Sequence, residues 1–225
     1  KSLNEDIKTG QWKPVYLLCG EEAYLKKQYK DRITKAILPE GDTVNYAYYE
    51  GKGINPGELI DLAETMPFFA ERRVIFVENS GFFKKSPEDL AAYLGELPET
   101  TYFIFVEEEV DKRGKMYKQV KKFGSVVEFK RQTDAVLMQW ILGKLKKENK
   151  RITRPVMELF LDKTGTDMEL ITQELEKLLC YTMEKDVIEA ADVEAICANQ
   201  INGKIFDMVD AIGRKEQKKA LDLYY

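Results

Sequence analysis

The residue types in this chain exclude most familiar catalytic chemistries. The 225 residues include no histidine, and the three cysteines, Cys19, Cys180 and Cys197, lie far apart without a CxxC spacing. Histidine-dependent catalytic triads and histidine-ligated metal sites are therefore excluded, and a structural zinc site is disfavoured. We expect the three thiols to be buried and reduced. The side chains left for chemistry are carboxylates and lysines.

Carboxylates and lysines could support phosphate binding, in a turn that would follow the first predicted strand. Residues 20–27 read GEEAYLKK. A working phosphate loop reads GxxxxGK followed by Ser or Thr; its glycines let the backbone approach the phosphates, and its lysine and hydroxyl hold phosphate and magnesium. Here the lysines lack that hydroxyl partner, and Glu21 and Glu22 would repel a triphosphate at the start of the helix. We predict no bound cofactor and no ATP hydrolysis.

Acidic residues near the ends of two predicted strands are the remaining candidates for a metal or catalytic role. Glu78 follows the third strand, where nucleotide hydrolases carry the acidic pair that holds magnesium, and glutamates at 107–109 follow the fourth. These glutamates lack partner ligands, so we interpret them as a solvated loop and predict no metal site. A cryptic NTPase that uses Glu78 with Lys26 or Lys27 stays open as an alternative.

A different kind of candidate site is the apolar run Met66, Pro67, Phe68 and Phe69, called the MPFF segment below. Pro67 cannot continue a helix and disfavours helical dihedrals at Met66, so the preceding helix should end there. The apolar run at 74–77 then predicts a buried strand. Connections between a helix and a strand normally lie on the surface. The segment either packs under its own helix or anchors a partner protein, and the pattern leaves both open.

Basic residues suggest a third kind of site. Lys115, Lys118, Lys121 and Lys122 share the polar side of a predicted helix, and residues 144–154 add a second basic cluster. Either group could follow the phosphate backbone of DNA. A solvated helix face is the commoner explanation for such spacing. The net charge of -4 and the pI near 5.3 provide no overall field that would attract nucleic acid.

The elements that must position these residues alternate between strands and helices. Helices separate the predicted strands, which are residues 15–19, 44–50, 74–77, 101–106 and 125–129. This alternation predicts a parallel sheet with right-handed crossovers, in an α/β domain over residues 1–133. Helical patterns alone follow, so we predict a small helical domain over 134–201. The pattern of 202–225 reaches the last residue without a cap, so we predict the start of a third, truncated helical domain.

Proline, glycine and hydroxyl residues mark the helix ends in the second predicted domain. Pro155 should begin one helix and Gly165 should end it in the left-handed conformation. Thr166 and Glu169 then have the spacing of a capping box for the next helix.

An α/β domain followed by a small helical domain is the layout of AAA+ ATPases. Within it, five stretches together resemble the bacterial DNA polymerase III delta subunits of the clamp loader: LLCGEEAYLKKQY, TMPFFAERRVIFVEN, FIFVEEEVDKRGKMYK, GTDMELITQELEKL and IFDMVDAIG. The resemblance extends over essentially the whole chain. Its most specific parts are the Gly20-Glu21-Glu22 turn and the MPFF segment with the alanine that follows.

The resemblance implies a degenerate AAA+-like domain without a phosphate loop, a helical lid-like domain and a C-terminal helical collar. Members of this family bind the β sliding clamp and open the ring for loading onto primed DNA, and the collar joins them to loader subunits of the gamma/tau and delta prime type. By position, Met66, Phe68 and Phe69 would enter a hydrophobic pocket on the clamp, and Pro67 would shape the turn. The chain would have no chemistry of its own, although the complex is a DNA-directed DNA polymerase with nucleotidyltransferase activity.

Two further expectations concern location and function class. The sequence has no apolar run long enough to span a membrane and no signal-peptide pattern at its start, so we predict a cytoplasmic protein without a membrane partner. A non-catalytic AAA+-like architectural adaptor, in which the MPFF segment is core, stays open beside the clamp-loader subunit.

Overall fold

A computed structural model describes residues 2–39 and 41–197, with isolated positions at 212, 213 and 221. The chain divides into two compact units between Arg131 and Gln132. The third domain predicted at 202–225 lies outside the described residues, apart from those isolated positions.

The first unit is built on a parallel sheet of five strands. Their bounds are β1 Val15–Cys19, β2 Tyr46–Glu50, β3 Arg73–Glu78, β4 Thr101–Glu107 and β5 Ser125–Glu128. The order across the sheet is β2-β3-β4-β1-β5, and every neighbouring pair is parallel. The predicted parallel α/β fold is therefore confirmed. The long apolar runs of β1 and β3 follow from their burial on both faces.

Helices cover both faces of this sheet. Their bounds are α1 Ser2–Thr9, α2 Ala23–Ile37, α3 Pro56–Glu64, α4 Glu88–Tyr93 and α5 Lys115–Phe123. Leu59 of α3, Leu90 of α4 and Met116 of α5 pack on one face, whereas Leu3 of α1 and Ile33 of α2 pack on the other. The sequence pattern did not predict α1. At the start of α3, the side chain of Asn55 accepts a hydrogen bond from the N–H of Gly57.

The direction of the strands places the candidate sites on opposite edges of the sheet. In a parallel sheet, all amino ends share one edge and all carboxyl ends share the other. Gly20 directly follows β1, and Glu78 and Glu107 end β3 and β4, so these residues lie at the carboxyl edge. Asn45 directly precedes β2 and Arg73 begins β3, so both lie at the amino edge, where the connection from α3 returns to the sheet.

The second unit is mainly helical. Its elements are α6 Asp134–Lys147, β6 Arg151–Ile152, α7 Arg154–Thr164, α8 Met168–Tyr181, β7 Val187–Ile188 and α9 Ala190–Ile196. The parallel pair of β6 and β7 was not predicted, because strands of two residues carry no periodic signal. Gly165 adopts φ +72° as predicted. The capping box predicted at Thr166 is wrong, since the side chain of Asp167 accepts hydrogen bonds from the N–H groups of Glu169 and Leu170 instead.

Cys19 and Cys197 are buried free thiols. Burial raises the pKa of the Cys19 thiol and of the Cys197 thiol to about 11, so both are protonated at neutral pH. Cys180 is exposed, contrary to the expectation that all three thiols are buried. Across the described residues, no helix combines the length and the apolar character that crossing a membrane demands.

Candidate functional site

The MPFF segment is exposed. Of their full surface, Met66 exposes 82%, Phe68 60% and Phe69 95%, and Pro67 is half-buried. The alternative in which these side chains pack under their own helix is therefore wrong. Three large apolar side chains that water surrounds at one edge of a sheet are typical of a surface that binds another protein.

Arg73 holds the chain where α3 ends and the MPFF segment begins. Its guanidinium donates to the carbonyl of Leu62 at 2.9 Å, to the hydroxyl of Thr65, and to the carbonyl of Met66 at 3.1 Å. The last carbonyls of a helix lack partners within the helix, and a cation there also offsets the helix dipole. Arg73 is itself buried, so these bonds are partly shielded from water.

Asn45 holds the middle of the segment. Its side-chain carbonyl accepts from the backbone N–H of Phe68 at 2.7 Å, and its side-chain amide donates to the Phe68 carbonyl at 2.9 Å. Asn45 exposes 2% of its surface. Its amide also donates to the carboxylate of Asp42 at 2.8 Å. The backbone of the MPFF segment is thus fixed from inside the protein while its side chains face outward.

Phe69 adopts an unusual backbone conformation. Its φ is +49°, in the left-handed region that bulky side chains rarely occupy. Its ring lies edge-to-face against that of Phe68, with centroids 4.5 Å apart and planes at 80°. Strained residues of this kind persist where surrounding contacts determine the backbone, and they concentrate at functional sites.

The turn that would bind phosphate is filled by backbone. Gly20 has φ +110°, and a Cβ at this position would lie 2.3 Å from the carbonyl oxygen of Phe129. The same oxygen accepts from the N–H of Glu22 at 3.1 Å, and the N–H of Phe129 donates to the backbone carbonyl of Cys19 at 2.7 Å. A phosphate loop needs N–H groups of this turn for its ligand. Here one of them already has a protein partner.

The residues of the alternative NTPase site have separate partners. The carboxylate of Glu78 lies 2.6 Å from Nζ of Lys30 and accepts from the Tyr48 hydroxyl at 2.9 Å. Lys26 is buried, and its Nζ lies 3.5 Å from the backbone carbonyl of Glu107. Lys27 is exposed.

The glutamates at 107–109 are not all solvated, contrary to our interpretation. Glu107 exposes 4% of its surface and accepts from both the N–H and the hydroxyl of Ser80 and from the N–H of Gly81. Burial raises the pKa of its carboxyl group, and the bonds from Ser80 and Gly81 oppose that shift. Glu109 pairs with Lys84 on the surface. Within the described part of the chain, no three His, Cys, Asp or Glu side chains form a group that could hold a metal ion.

The lysines proposed for DNA contact lie on α5. Lys118, Lys121 and Lys122 are exposed. Lys115 is also exposed, and its Nζ lies 2.5 Å from a carboxylate oxygen of Glu88. An ion pair between exposed groups contributes little stability, so Lys115 could exchange this carboxylate for a phosphate.

The second basic cluster, residues 144–154, is partly structural. Nζ of Lys150 donates to the carbonyls of Thr182 at 2.6 Å and Met183 at 2.9 Å, and also to that of Lys185. Nζ of Lys144 lies 4.4 Å from the centroid of the Trp140 ring. Lys150 therefore supports the turn after α8.

The sequence analysis missed the residues that position the MPFF segment. Asn45 and Asp42 are separated from Phe68 by more than twenty residues, and only the fold brings them together. One signal was available. Asn45 interrupts a run of β-forming residues, and Arg73 directly precedes the apolar run at 74–77. A polar residue at such a buried position is normally hydrogen-bonded.

Together these features define a class of protein: an AAA+-like α/β domain with a filled phosphate turn at one edge of the sheet and an exposed aromatic segment at the other. The RuvB Holliday junction branch migration motor of Thermotoga maritima shares this fold. It is 15% identical with a TM-score of 0.55, over 86% of this chain and 64% of that one, which shows the fold alone.

The family described as DNA polymerase III, delta subunit, matches residues 16–130, and the chain belongs to that family. The DNA polymerase III subunit delta of Bacillus subtilis (strain 168) is 26% identical over 98% of this chain and 67% of its own length. The probable DNA polymerase III subunit delta of Aquifex aeolicus (strain VF5) is 27% identical over 92% of this chain and 61% of its own length. The structure of the Bacillus subtilis DNA clamp loader delta protein matches with a TM-score of 0.67 and 25% identity, over 100% of this chain and 70% of that one.

Proposed function

We propose that this chain binds the β sliding clamp through the MPFF segment and, as part of a clamp loader in the cytoplasm, opens the ring for loading onto primed DNA. The exposure of Met66, Phe68 and Phe69 on a backbone fixed by buried polar residues is the observation that carries this proposal. The family and the structural likeness to a clamp loader delta protein support a sliding clamp as the partner.

The exposed side chains provide enough free energy to anchor a clamp. Burying a Phe or Met side chain contributes about 1.5–3 kcal/mol, and a few well-packed aromatic anchors usually dominate an interface. Because the backbone of the segment is already ordered, little conformational entropy is lost on binding. A small contact can therefore hold the clamp.

Ring opening then follows from a difference in affinity. A protein that binds the open clamp more tightly than the closed clamp shifts the ring toward opening by the ratio of the two affinities. This shift requires no ATP hydrolysis by the chain that binds. Partner subunits of the gamma/tau and delta prime type would use ATP to expose or cover the MPFF segment.

The filled turn supports a role without nucleotide hydrolysis. The N–H of Glu22 is bonded to Phe129, and Glu78 is paired with Lys30. We expect magnesium and ATP together to leave the melting temperature of the chain unchanged. Stabilisation by ATP would instead favour the cryptic NTPase, since a ligand that binds only the folded state raises its stability.

We further propose that Lys115, Lys118 and Lys122 contact the phosphate backbone of primed DNA within the assembled loader. Their exposure on one helix supports this. Each phosphate contact contributes about 0.9 to the slope of log affinity against log salt. The Lys118→Ala/Lys122→Ala loader should therefore show a shallower slope, whereas exposed lysines on and after α1, changed as Lys8→Ala/Lys13→Ala, should leave the slope unchanged.

The central experiment measures affinity for the β clamp and thermal melting together. Phe68→Ala/Phe69→Ala removes two anchors, so we expect at least about a hundredfold loss of affinity with unchanged melting. The matched control is Tyr181→Ala/Met183→Ala, which removes two exposed apolar side chains of the other unit. Unchanged affinity in the phenylalanine variant would overturn the proposal, and a loss of melting with affinity would make these residues part of the core.

A further inference from the structure

We propose that Asn45, oriented by Asp42, is a positioning residue for clamp binding, because it fixes the backbone of Phe68 before the clamp arrives. This inference rests on the proposed function. Asn45 is buried, so it acts through the backbone of Phe68 and not by contact with the clamp.

The pairing between Asn45 and Phe68 restrains orientation as well as position. One side-chain amide bonds to both the N–H and the carbonyl of the same residue, at 2.7 Å and 2.9 Å. Two bonds from a planar amide form a closed ring, much as neighbouring strands pair in a sheet. The peptide groups of Phe68 cannot rotate without breaking one of them. Because Asn45 is buried, these groups are partly shielded from water and a broken bond is costly.

Asp42 determines which way the Asn45 amide faces. One carboxylate oxygen of Asp42 accepts from the Asn45 side-chain amide at 2.8 Å, and the other accepts from the backbone N–H of Asn45 at 3.0 Å. The side-chain nitrogen of Asn45 must therefore lie on the side of Asp42, which leaves the oxygen for the N–H of Phe68. These bonds from Asn45 hold the pKa of Asp42 below its usual value, so the carboxylate is charged at neutral pH.

The rest of the connection has few other restraints. Residues 65–72 form neither helix nor strand. Arg73 fixes the beginning through Met66, and Asn45 fixes the middle through Phe68. Ordering a free backbone residue opposes binding, so a segment that is already ordered binds more tightly.

The test compares clamp affinity, melting and amide hydrogen exchange in the 225-residue chain. In the wild type, the N–H of Phe68 should exchange slowly although its side chain is exposed, because the N–H donates to a buried oxygen. Asn45→Ala should remove this protection and weaken clamp binding about tenfold or more. Tyr16→Phe is the matched control, since it removes the buried hydroxyl that bonds to Lys13 and Asp6, away from the segment.

Two further variants separate positioning from general stability. Asp42→Ala removes the orienting carboxylate of a half-buried residue, which also accepts from the N–H groups of Val44 and Asn45, and leaves the Asn45 amide in place. It should give a smaller loss of affinity and of Phe68 protection. If Asn45→Ala fails to fold, Asp42→Ala still tests the positioning role. In the Phe68→Ala background, the effect of Asn45→Ala on affinity should shrink toward none, because the side chain that Asn45 positions is gone.

The outcomes distinguish this inference from the proposed function. If the wild type binds the clamp but Asn45→Ala and Asp42→Ala bind equally well, or Phe68 stays protected in both, the positioning role is overturned and clamp binding stands. If no form binds the clamp, the proposed function is overturned. Amide exchange then decides alone whether Asn45 fixes the segment: lost protection supports that role and retained protection overturns it.

Discussion

Arg73 donates from its guanidinium to the backbone carbonyl of Met66 at 3.1 Å, so the first residue of β3 holds the first residue of the MPFF segment. The same guanidinium bonds to the end of α3 through Leu62. The end of the helix, the start of the strand and the exposed segment between them therefore share one buried cation. The backbone of the segment is therefore fixed by buried residues, whereas its side chains lie on the surface.

Replacing Arg73 should destabilise the first unit. Arg73→Met keeps an apolar chain of similar length but removes the charged donor that the carbonyls of Leu62 and Met66 share. Hydrogen bonds from a charged donor contribute about 1.5–3 kcal/mol, so we expect a loss of about 2–3 kcal/mol in the free energy of unfolding, measured with urea.

The neighbouring arginine provides the control for this change. Arg72 is only half-buried, and its guanidinium lies 6.0 Å from the centroid of the Tyr102 ring. Such a contact contributes about 0.5–1 kcal/mol at an exposed site, so Arg72→Met should cost less than Arg73→Met. Equal losses in the two variants would show that Arg73 does not hold the helix end.

The sequence predicted the strands of the sheet because burial on both faces demands continuous apolar runs, as in β1 and β3. It could not decide whether the MPFF segment is exposed. That outcome depends on Asn45, which lies 23 residues before Phe68 and meets it only after β2 and β3 pair. Local pattern contains no information on such a contact.

The predictions for Glu107 and Lys150 differ from the structure for a similar reason: the partners of both residues are distant in sequence. The interpretation of Glu107 as part of a solvated loop rests on its lack of partner ligands in the sequence, yet its partner Ser80 is 27 residues away and reaches it through the pairing of β3 and β4. Lys150 was grouped with a basic cluster, although its partners follow α8. The sequence does not show which distant residue pairs with a charged side chain, so a charged residue in a polar stretch is predicted to be solvated.

The left-handed backbone conformation of Phe69 predicts a difference in stability between Phe69→Ala and Phe69→Gly, which both lack the ring. A residue with a Cβ loses about 1–2 kcal/mol in the left-handed conformation, whereas glycine does not. Glycine loses about 0.4–1 kcal/mol through the greater freedom of the unfolded chain. Phe69→Gly should therefore be more stable than Phe69→Ala by about 0.5–1 kcal/mol in urea unfolding.

Clamp affinity separates this effect from binding. Both variants lack the ring, so both should lose affinity for the clamp to a similar extent. A Phe69→Ala variant as stable as Phe69→Gly would mean that Phe69 does not adopt φ +49° in solution.

Burial of Glu107 should make stability depend on pH. Because burial raises the pKa of Glu107 in the folded state above its ordinary value of 4.5, the folded protein holds a proton that the unfolded chain releases. Its contribution to stability is then fully present below pH 4.5 and is lost as pH rises through the folded pKa. The free energy of unfolding of the wild type, relative to Glu107→Gln, should therefore fall from pH 4 toward pH 7. A rise over this range would mean that the bonds from Ser80 and Gly81 outweigh burial.

Lys150 should contribute to stability while a neighbouring lysine of the same basic cluster should not. Nζ of Lys150 donates to the carbonyls of Thr182 and Met183, which directly follow α8. Hydrogen bonds from a charged donor contribute about 1.5–3 kcal/mol, so Lys150→Met should lower the free energy of unfolding of the second unit by about 2 kcal/mol. Lys147 is exposed, and Lys147→Met should change it by less than about 0.5 kcal/mol. Equal effects on stability, together with an equal loss of salt-dependent DNA affinity in the assembled loader, would instead assign both lysines to nucleic-acid contact.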